Sequence, residues 1–368
     1  MRTLLIDAAG YRVGKAIGVN SYFDNLLCYF TSHRNLLKYE RIIIACDNSQ
    51  TEHFRKYDCF DIVGLDCSSY IKRFWIQNRY RRLFSLSEND LIFWPLGYTS
   101  ITKKCHFLLV MHDLLYLHPK IMGNLKTSLA LNVQKIVCPI SIRKSDRVVT
   151  ISKWVKKDII TAYGTDSDKI TPVYSYFNFE KYGTNYSDGI KQIASSNYFL
   201  VVSADYPHKH ISTVLKAFDL FAQENKDSIL IIVGKMGEER KQEIENLKDE
   251  VKKRIKVLSG ISNDDLAYLY RGCKAYINAT EFEGLGMPFV EAMYFGCKVV
   301  ASNIEVVREV TGDKAIYFDY MDSKGLSLIM INIDNYSMPA DSVPFVKKQY
   351  SEENTSGKYI EVINSFTE

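Results

Sequence analysis

Two glutamates eight positions apart, Glu283 and Glu291, mark the segment of this 368-residue chain best suited to chemistry. They lie in Tyr276 to Val300, YINATEFEGLGMPFVEAMYFGCKVV, where an apolar run ends near Ala279 and a loop, Glu283-Gly284-Leu285-Gly286, follows. Pro288 stands where a helix should begin and Gly296 where it should stop, which puts Glu291 about one turn inside. Gly284 and Gly286 permit close backbone approach, and the amides at the helix start can bind phosphate or sugar hydroxyls. Acidic residues matching a helix dipole would explain either glutamate alone, but not the whole pattern. Lys209 is a second candidate, placed after an apolar run that ends at Ser203 and before a helical pattern, a loop position suited to phosphate. His112 directly follows an apolar run and precedes Asp113, at the place where a core-edge histidine or a site residue would stand.

Other patterns fail on inspection. Ala9 to Ala16, AGYRVGKA, resembles a phosphate loop, but only three residues separate Gly10 from Gly14, and Ala16 replaces the metal-binding Ser or Thr. A GxGxxG fingerprint is absent. Asp166-Ser167-Asp168 has the spacing of an acidic pair but sits in a polar turn before a strand, as surface charge. The eight cysteines show no CxxC pair and no metal-like spacing with the seven histidines, and they read as reduced core residues.

The elements that must position these residues alternate from end to end, short β-branched runs with longer helical patterns, as in parallel sheets built from βαβ units. Strands are expected at Thr3 to Ala8, Arg41 to Cys46, Asp61 to Leu65, Asp90 to Trp94, Phe107 to Met111 and Arg147 to Ile151. After a polar stretch at 177–197 they restart at Phe199 to Ser203, Ser228 to Val233, Ile255 to Leu258, Ala275 to Ala279, Val299 to Ser302 and Ala315 to Phe318. Helices are expected at Ser21 to Leu37, Leu125 to Ile142 and Trp154 to Tyr163, then near 211–225, 238–253, 263–272, 288–295 and 304–310. The chain is therefore α/β, with a Rossmann-like domain at 1–176, a linker at 177–197 and a second at 198–349. A final helix near 350–368 is expected to return to the first domain. Two doubly wound domains facing a central cleft would place ligands at the carboxyl ends of their strands.

Charge is divided unevenly. Residues 1–180 hold 25 Lys and Arg against 16 Asp and Glu, a balance of +9, and residues 181–368 hold 22 against 27, or −5. The densest basic stretch, Tyr70 to Phe84, interleaves Lys72, Arg73, Arg79, Arg81 and Arg82 with five aromatic residues. On a helix this makes a surface suited to anionic lipid headgroups, or else a solvated face whose aromatics enter the core. No nucleic-acid module accompanies it. The longest stretch free of Asp, Glu, Lys and Arg is 13 residues, short of a membrane span, and Asp7 interrupts any leader-like run. A cytoplasmic protein, in at most peripheral contact with the inner face of the cytoplasmic membrane, is expected.

EGLGMPFVEAM resembles the EGFGLPxLEAM signature, the E-x7-E motif, of family 4 retaining glycosyltransferases, and especially of mannosyltransferase-like members. Downstream, GCKVVASNIEVVREVTGDKAIYFD at 296–319 is similar to the family's GxPVVxSxxxxxPEVxGDAAxxxD, with Arg308 in place of proline. KVLSGISNDDLAYLYRGCKAYI at 256–277, MHDLLYLHP at 111–119 and SDRVVTISKWVKKDIITAYG at 145–164 resemble its other conserved runs, in collinear order.

The resemblance implies the GT-B fold, an acceptor-binding first domain and a nucleotide-sugar-binding second domain. Glu291 would hydrogen-bond the nucleotide ribose. Glu283, Gly284 and the backbone of Leu285, Gly286 and Met287 would hold the donor sugar and part of the diphosphate. Lys209 occupies the lysine position of the family's PRKN and would neutralise the diphosphate, with His208 where arginine stands and His210 where asparagine stands. His112 matches the histidine near the reacting centre, and Gly18 the glycine loop under the diphosphate. The implied activity is metal-independent, retaining transfer of a hexose from a nucleoside-diphosphate sugar to a glycan or lipid-linked acceptor, without cofactor, in bacterial O-antigen or capsule synthesis. The donor inclines to GDP-mannose, with UDP- and dTDP-sugars open. A sugar-nucleotide epimerase, a phosphorylase or a non-catalytic nucleotide-sugar-binding protein would share the architecture.

Overall fold

A computed structural model describes the chain except for residues 1, 15, 16, 101–104, 119–124 and 196, and describes 17 and 125–131 by backbone alone. Lys15 and Ala16 of the rejected phosphate loop, and Pro119 at the end of the 111–119 segment, lie outside the described residues. The chain forms two compact units. Met1–Leu117, Leu125–Phe177 and Gln349–Glu368 make the first, and His118–Asn124 with Asn178–Lys348 the second.

The first unit holds strands β1 (Thr3–Ala8), β2 (Arg41–Asp47), β3 (Asp61–Leu65), β4 (Leu91–Trp94), β5 (His106–Met111), β6 (Arg147–Thr150) and β7 (Ile170–Pro172). They form one parallel sheet in the order β3-β2-β1-β4-β5-β6-β7. The second unit holds β8 (Tyr198–Val202), β9 (Ile229–Val233), β10 (Ile255–Leu258), β11 (Ala275–Asn278), β12 (Val299–Ser302) and β13 (Ile316–Phe318), parallel in the order β10-β9-β8-β11-β12-β13. Helices on both faces exclude water, so central strands carry apolar side chains in succession rather than alternation. Leu4, Leu5 and Ile6 of β1 and Leu230, Ile231 and Ile232 of β9 are all completely buried. Each contributes about 2 kcal/mol of transfer free energy. The strand order reverses between β1 and β4 in one unit and between β8 and β11 in the other, and the loops leaving those strands are where such sheets bind ligands.

Several expectations shift. The first helix starts at Ile17 rather than Ser21 and ends at Ser32. The pattern at 238–253 is two helices, Glu238–Glu245 and Asp249–Lys252, because Lys248 takes an extended conformation. Strand β7, absent from the expected set, is only three residues long and ends in Pro172, too short for a period-2 signal. Helix Lys358–Asn364 belongs to the first unit, where Asn364 Nδ2 donates to the Leu36 carbonyl at 2.7 Å and Asn364 Oδ1 accepts from the Lys38 amide at 3.0 Å. Residues 178–193 lie on the second unit. The amides of Gly183 and Asn185 donate to the Asp264 carboxylate at 2.7 and 3.1 Å, and helix Asp188–Ile193 follows, capped by Ser187. Five of the eight cysteines are buried; Cys28 and Cys59 are exposed and Cys273 is intermediate, which corrects the reading of all eight as core.

The basic segment forms helices Tyr70–Gln77 and Tyr80–Leu83. Their inner face is anchored on Asp7 at the end of β1, which accepts from Tyr80 Oη at 2.6 Å and Gln77 Nε2 at 3.0 Å. Burial pushes the Asp7 carboxyl above its usual range, and these two donors and Arg73 act against that rise. The outer face keeps Tyr70, Ile71 and Trp75 in solvent at 82, 71 and 57% exposure, with Lys72, Arg79, Arg81 and Arg82 among them. Of the five aromatic residues only Tyr80 is buried. No described helix is long and apolar enough to cross a membrane.

Candidate functional site

In the second unit, the loop after β8 carries Lys209 and the loop after β11 carries Glu283. These loops flank the strand-order reversal, and Lys209 Nζ meets Glu283 Oε1 at 2.5 Å. Both side chains are about 15% exposed, so the charges are largely withdrawn from water and hold each other. Each loop runs directly into a helix start that no side chain caps. Ile211–Glu224 begins after His210, and Met287–Tyr294 after Gly286. The ion pair therefore brings two positive helix ends together, the arrangement suited to an anion.

The backbone at both starts is unusual. Gly286 adopts φ +83°, and a Cβ there would lie 2.7 Å from the Phe289 ring, so the turn needs glycine. His210 has φ +44° without being glycine, a costly conformation held by Nε2 against Glu281 Oε2 at 3.0 Å and by Tyr320, 4.9 Å away between ring centres. His208 is buried, its ring parallel to Tyr206 at 5.7 Å, while its carbonyl accepts the Glu281 amide at 2.7 Å. Its main chain thus ties the two loops together. Leu285 is buried, Gly284 and Met287 are partly exposed, and Met287 opens the helix.

Glu291 lies in the second turn of that helix, with about a tenth of its side chain exposed. Its Oε2 accepts from Tyr270 Oη at 2.9 Å and its Oε1 from Lys181 Nζ at 3.3 Å. Burial, with the Glu291 carboxylate beside it, pushes the Tyr270 phenol well above 10, so it remains a donor. Sequence reasoning missed Lys181 and Tyr270. Lys181 stands 110 positions before its partner in a polar segment without periodicity, and Tyr270 reads as an ordinary core aromatic.

In the first unit, His112 follows β5 directly. Its Nε2 lies 2.8 Å from the Pro95 carbonyl, which fixes the proton on Nε2, and its ring meets Tyr22 edge-on at 5.0 Å. Asp113 accepts the Leu115 amide at 2.9 Å and shapes the turn. Gly18 is exposed in the first turn of helix Ile17–Ser32, inside the helix rather than in a loop, and a Cβ there would meet nothing within 4 Å. Among the described residues no three His, Cys, Asp or Glu side chains come together as a metal site.

Burial holds the His112 imidazole below 6.5. As pH falls the unfolded chain takes the proton first, so this residue's contribution to stability is full above pH 6.5 and is lost as pH falls toward the folded value. His112→Gln should flatten that part of the stability curve; urea unfolding at about pH 7.5 and about pH 5.5 reads it, and an unchanged slope would refute the assignment.

Residues 187–326 match the family described as Glycosyl transferases group 1. The chain is 28% identical over 200 residues to the O-antigen chain mannosyltransferase RfbU of Salmonella typhimurium, a stretch covering 54% of each chain. It is 25% identical over 194 residues to O-antigen chain mannosyltransferase B of Escherichia coli, 51% of each. The chain thus spans about half the length of these curated relatives. Its fold is similar to that of Anabaena HepE in complex with UDP, at TM-score 0.67 and 16% identity over 99% of this chain and 100% of the other.

Proposed function

This chain carries a Glycosyl transferases group 1 domain, and on that premise we propose that it is a retaining mannosyltransferase acting in O-antigen or capsule synthesis. It takes mannose from GDP-mannose and delivers it to a hydroxyl of a glycan or lipid-linked acceptor. The observation that carries the reading is the Lys209–Glu283 pair between two uncapped helix starts. Two relatives named as O-antigen mannosyltransferases support the sugar and the pathway class.

In this reading the second unit binds the donor. Glu291 accepts from the ribose, and Glu283, Gly284 and the backbone at Leu285, Gly286 and Met287 take the sugar. Lys209 and the helix ends stabilise the charge that develops as the anomeric C–O bond to the diphosphate breaks, and no divalent metal is required. The acceptor oxygen bonds to the anomeric carbon on the face the diphosphate leaves, and its proton passes to the departing diphosphate oxygen. His112 in the first unit serves the transfer step. His208 is assigned to shaping the diphosphate site through its carbonyl, which ties the two loops together.

Thermal melting tests the donor. GDP at a hundredfold excess over Kd should add about 2.7 kcal/mol of stability, with or without EDTA. A shift confined to UDP or dTDP would overturn GDP, a shift abolished by EDTA would overturn the metal-free mechanism, and no shift would overturn the donor site.

A lipid-linked acceptor requires a membrane surface, and the exposed face of Tyr70–Gln77 with its neighbouring arginines has the composition for one. In this reading the enzyme works peripherally at the inner face of the cytoplasmic membrane. Vesicles containing anionic phosphatidylglycerol should sediment the protein and neutral ones should not. Replacing Tyr70, Ile71 and Trp75 with serine should weaken binding by about tenfold or more. Equal sedimentation with both vesicle types would refute this placement.

A further inference from the structure

We propose that Lys181 is a positioning residue for Glu291 and, through it, for recognition of the donor ribose; the inference rests on the donor reading of the second unit. A nearly buried carboxylate needs partners on both oxygens. Glu291 has them already, Tyr270 Oη on Oε2 at 2.9 Å and Lys181 Nζ on Oε1 at 3.3 Å. Two donors on two oxygens fix the plane of the carboxylate. Each oxygen accepts about two hydrogen bonds, and with the Tyr182 hydroxyl also against this carboxylate at least one acceptor position is left for a ligand hydroxyl. A ribonucleotide presents such hydroxyls at its 2′ and 3′ positions.

Lys181 is held in place by the segment it belongs to. Phe179 stacks on Tyr294 with ring centres 4.0 Å apart, Tyr182 meets Phe295 edge-on at 5.0 Å, and the ammonium lies 4.7 Å over the Tyr182 ring. The Asp264 carboxylate takes the next amides along. This strap precedes residues 187–326, so the family match says nothing of it. Each of the two site glutamates thus carries its own lysine, Lys209 on Glu283 and Lys181 on Glu291.

Titration calorimetry with GDP and 2′-deoxy-GDP on the full chain tests the role. The parent protein should prefer GDP by about tenfold or more, because the deoxy analogue leaves a buried acceptor unmatched. Lys181→Met should bring that ratio close to one while Lys181→Arg preserves it. Should Lys181→Met not fold, Lys181→Gln carries the same expectation. A merely structural lysine would lower the melting temperature of these variants and leave the ratio unchanged, and that result would overturn the proposal. A parent protein that binds neither nucleotide would instead overturn the donor reading on which it rests.

Discussion

Lys209→Ala should slow sugar transfer by about a hundredfold or more, corresponding to about 3 kcal/mol of lost stabilisation of the departing diphosphate. The same change leaves Glu283 nearly buried without its counter-charge, which by itself destabilises the folded unit. The two effects separate in the double variant. Lys209→Ala with Glu283→Ala removes the unpaired charge and should recover much of the lost melting temperature, yet turnover should stay as low as in the single variant or lower. Recovery of turnover along with stability would mean that Lys209 serves only to hold Glu283. Steady-state rates and melting curves on the parent, both single variants and the double variant decide the matter.

Gly234→Ala is expected to be the most damaging small substitution in the second unit. A Cβ at Gly234 would lie 1.9 Å from the Ser203 carbonyl oxygen, at φ +156°, so main chain rather than a flexible side chain must move. The two loops are locked there: the Ser203 amide donates to the Val233 carbonyl at 3.0 Å, and the Gly237 amide to Asp205 at 3.0 Å, with Arg240 on the same carboxylate at 3.2 Å. Overpacking against backbone together with the positive φ should cost about 3 to 4 kcal/mol. For a unit of this size that lowers the melting temperature by about 10 °C. Because Ser203 begins the loop that ends at Lys209, donor affinity should fall as well. Gly189→Ala, in helix Asp188–Ile193 with nothing within 4 Å, is the control and should be neutral or slightly stabilising. Equal melting temperatures for the two variants would refute the close approach.

Much of the strand framework was legible because a strand buried on both faces must be apolar throughout. Residues 229–233, ILIIV, can be little else. Lys209 and Glu283 were legible as loop residues for the same reason: once the strands are placed, chain direction puts both loops at one end of the sheet. Their pairing was not, since it depends on the order in which strands lie, and β11 lies beside β8 although β9 and β10 intervene in sequence. Lys181 was invisible because nothing local marks it; its aromatic neighbours Phe179 and Tyr182 find partners on a helix more than 100 residues later. The basic segment was read as amphipathic, but which face would be covered depended on Asp7 binding Gln77 and Tyr80, a contact spanning at least 70 positions. Gly18 shows the opposite failure, a glycine that the family resemblance put in a loop and whose backbone is helical.

The central claim is tested most directly by incubating the protein with GDP-α-mannose and a lipid-linked glycan in EDTA, and following both GDP release and the anomeric proton of the product by NMR. The account predicts acceptor-dependent GDP release, an α-linked mannose in the product, and loss of both in Lys209→Ala. GDP release yielding a β-linked mannose would contradict the retaining mechanism, and donor binding without acceptor-dependent GDP release would contradict the assignment as a transferase.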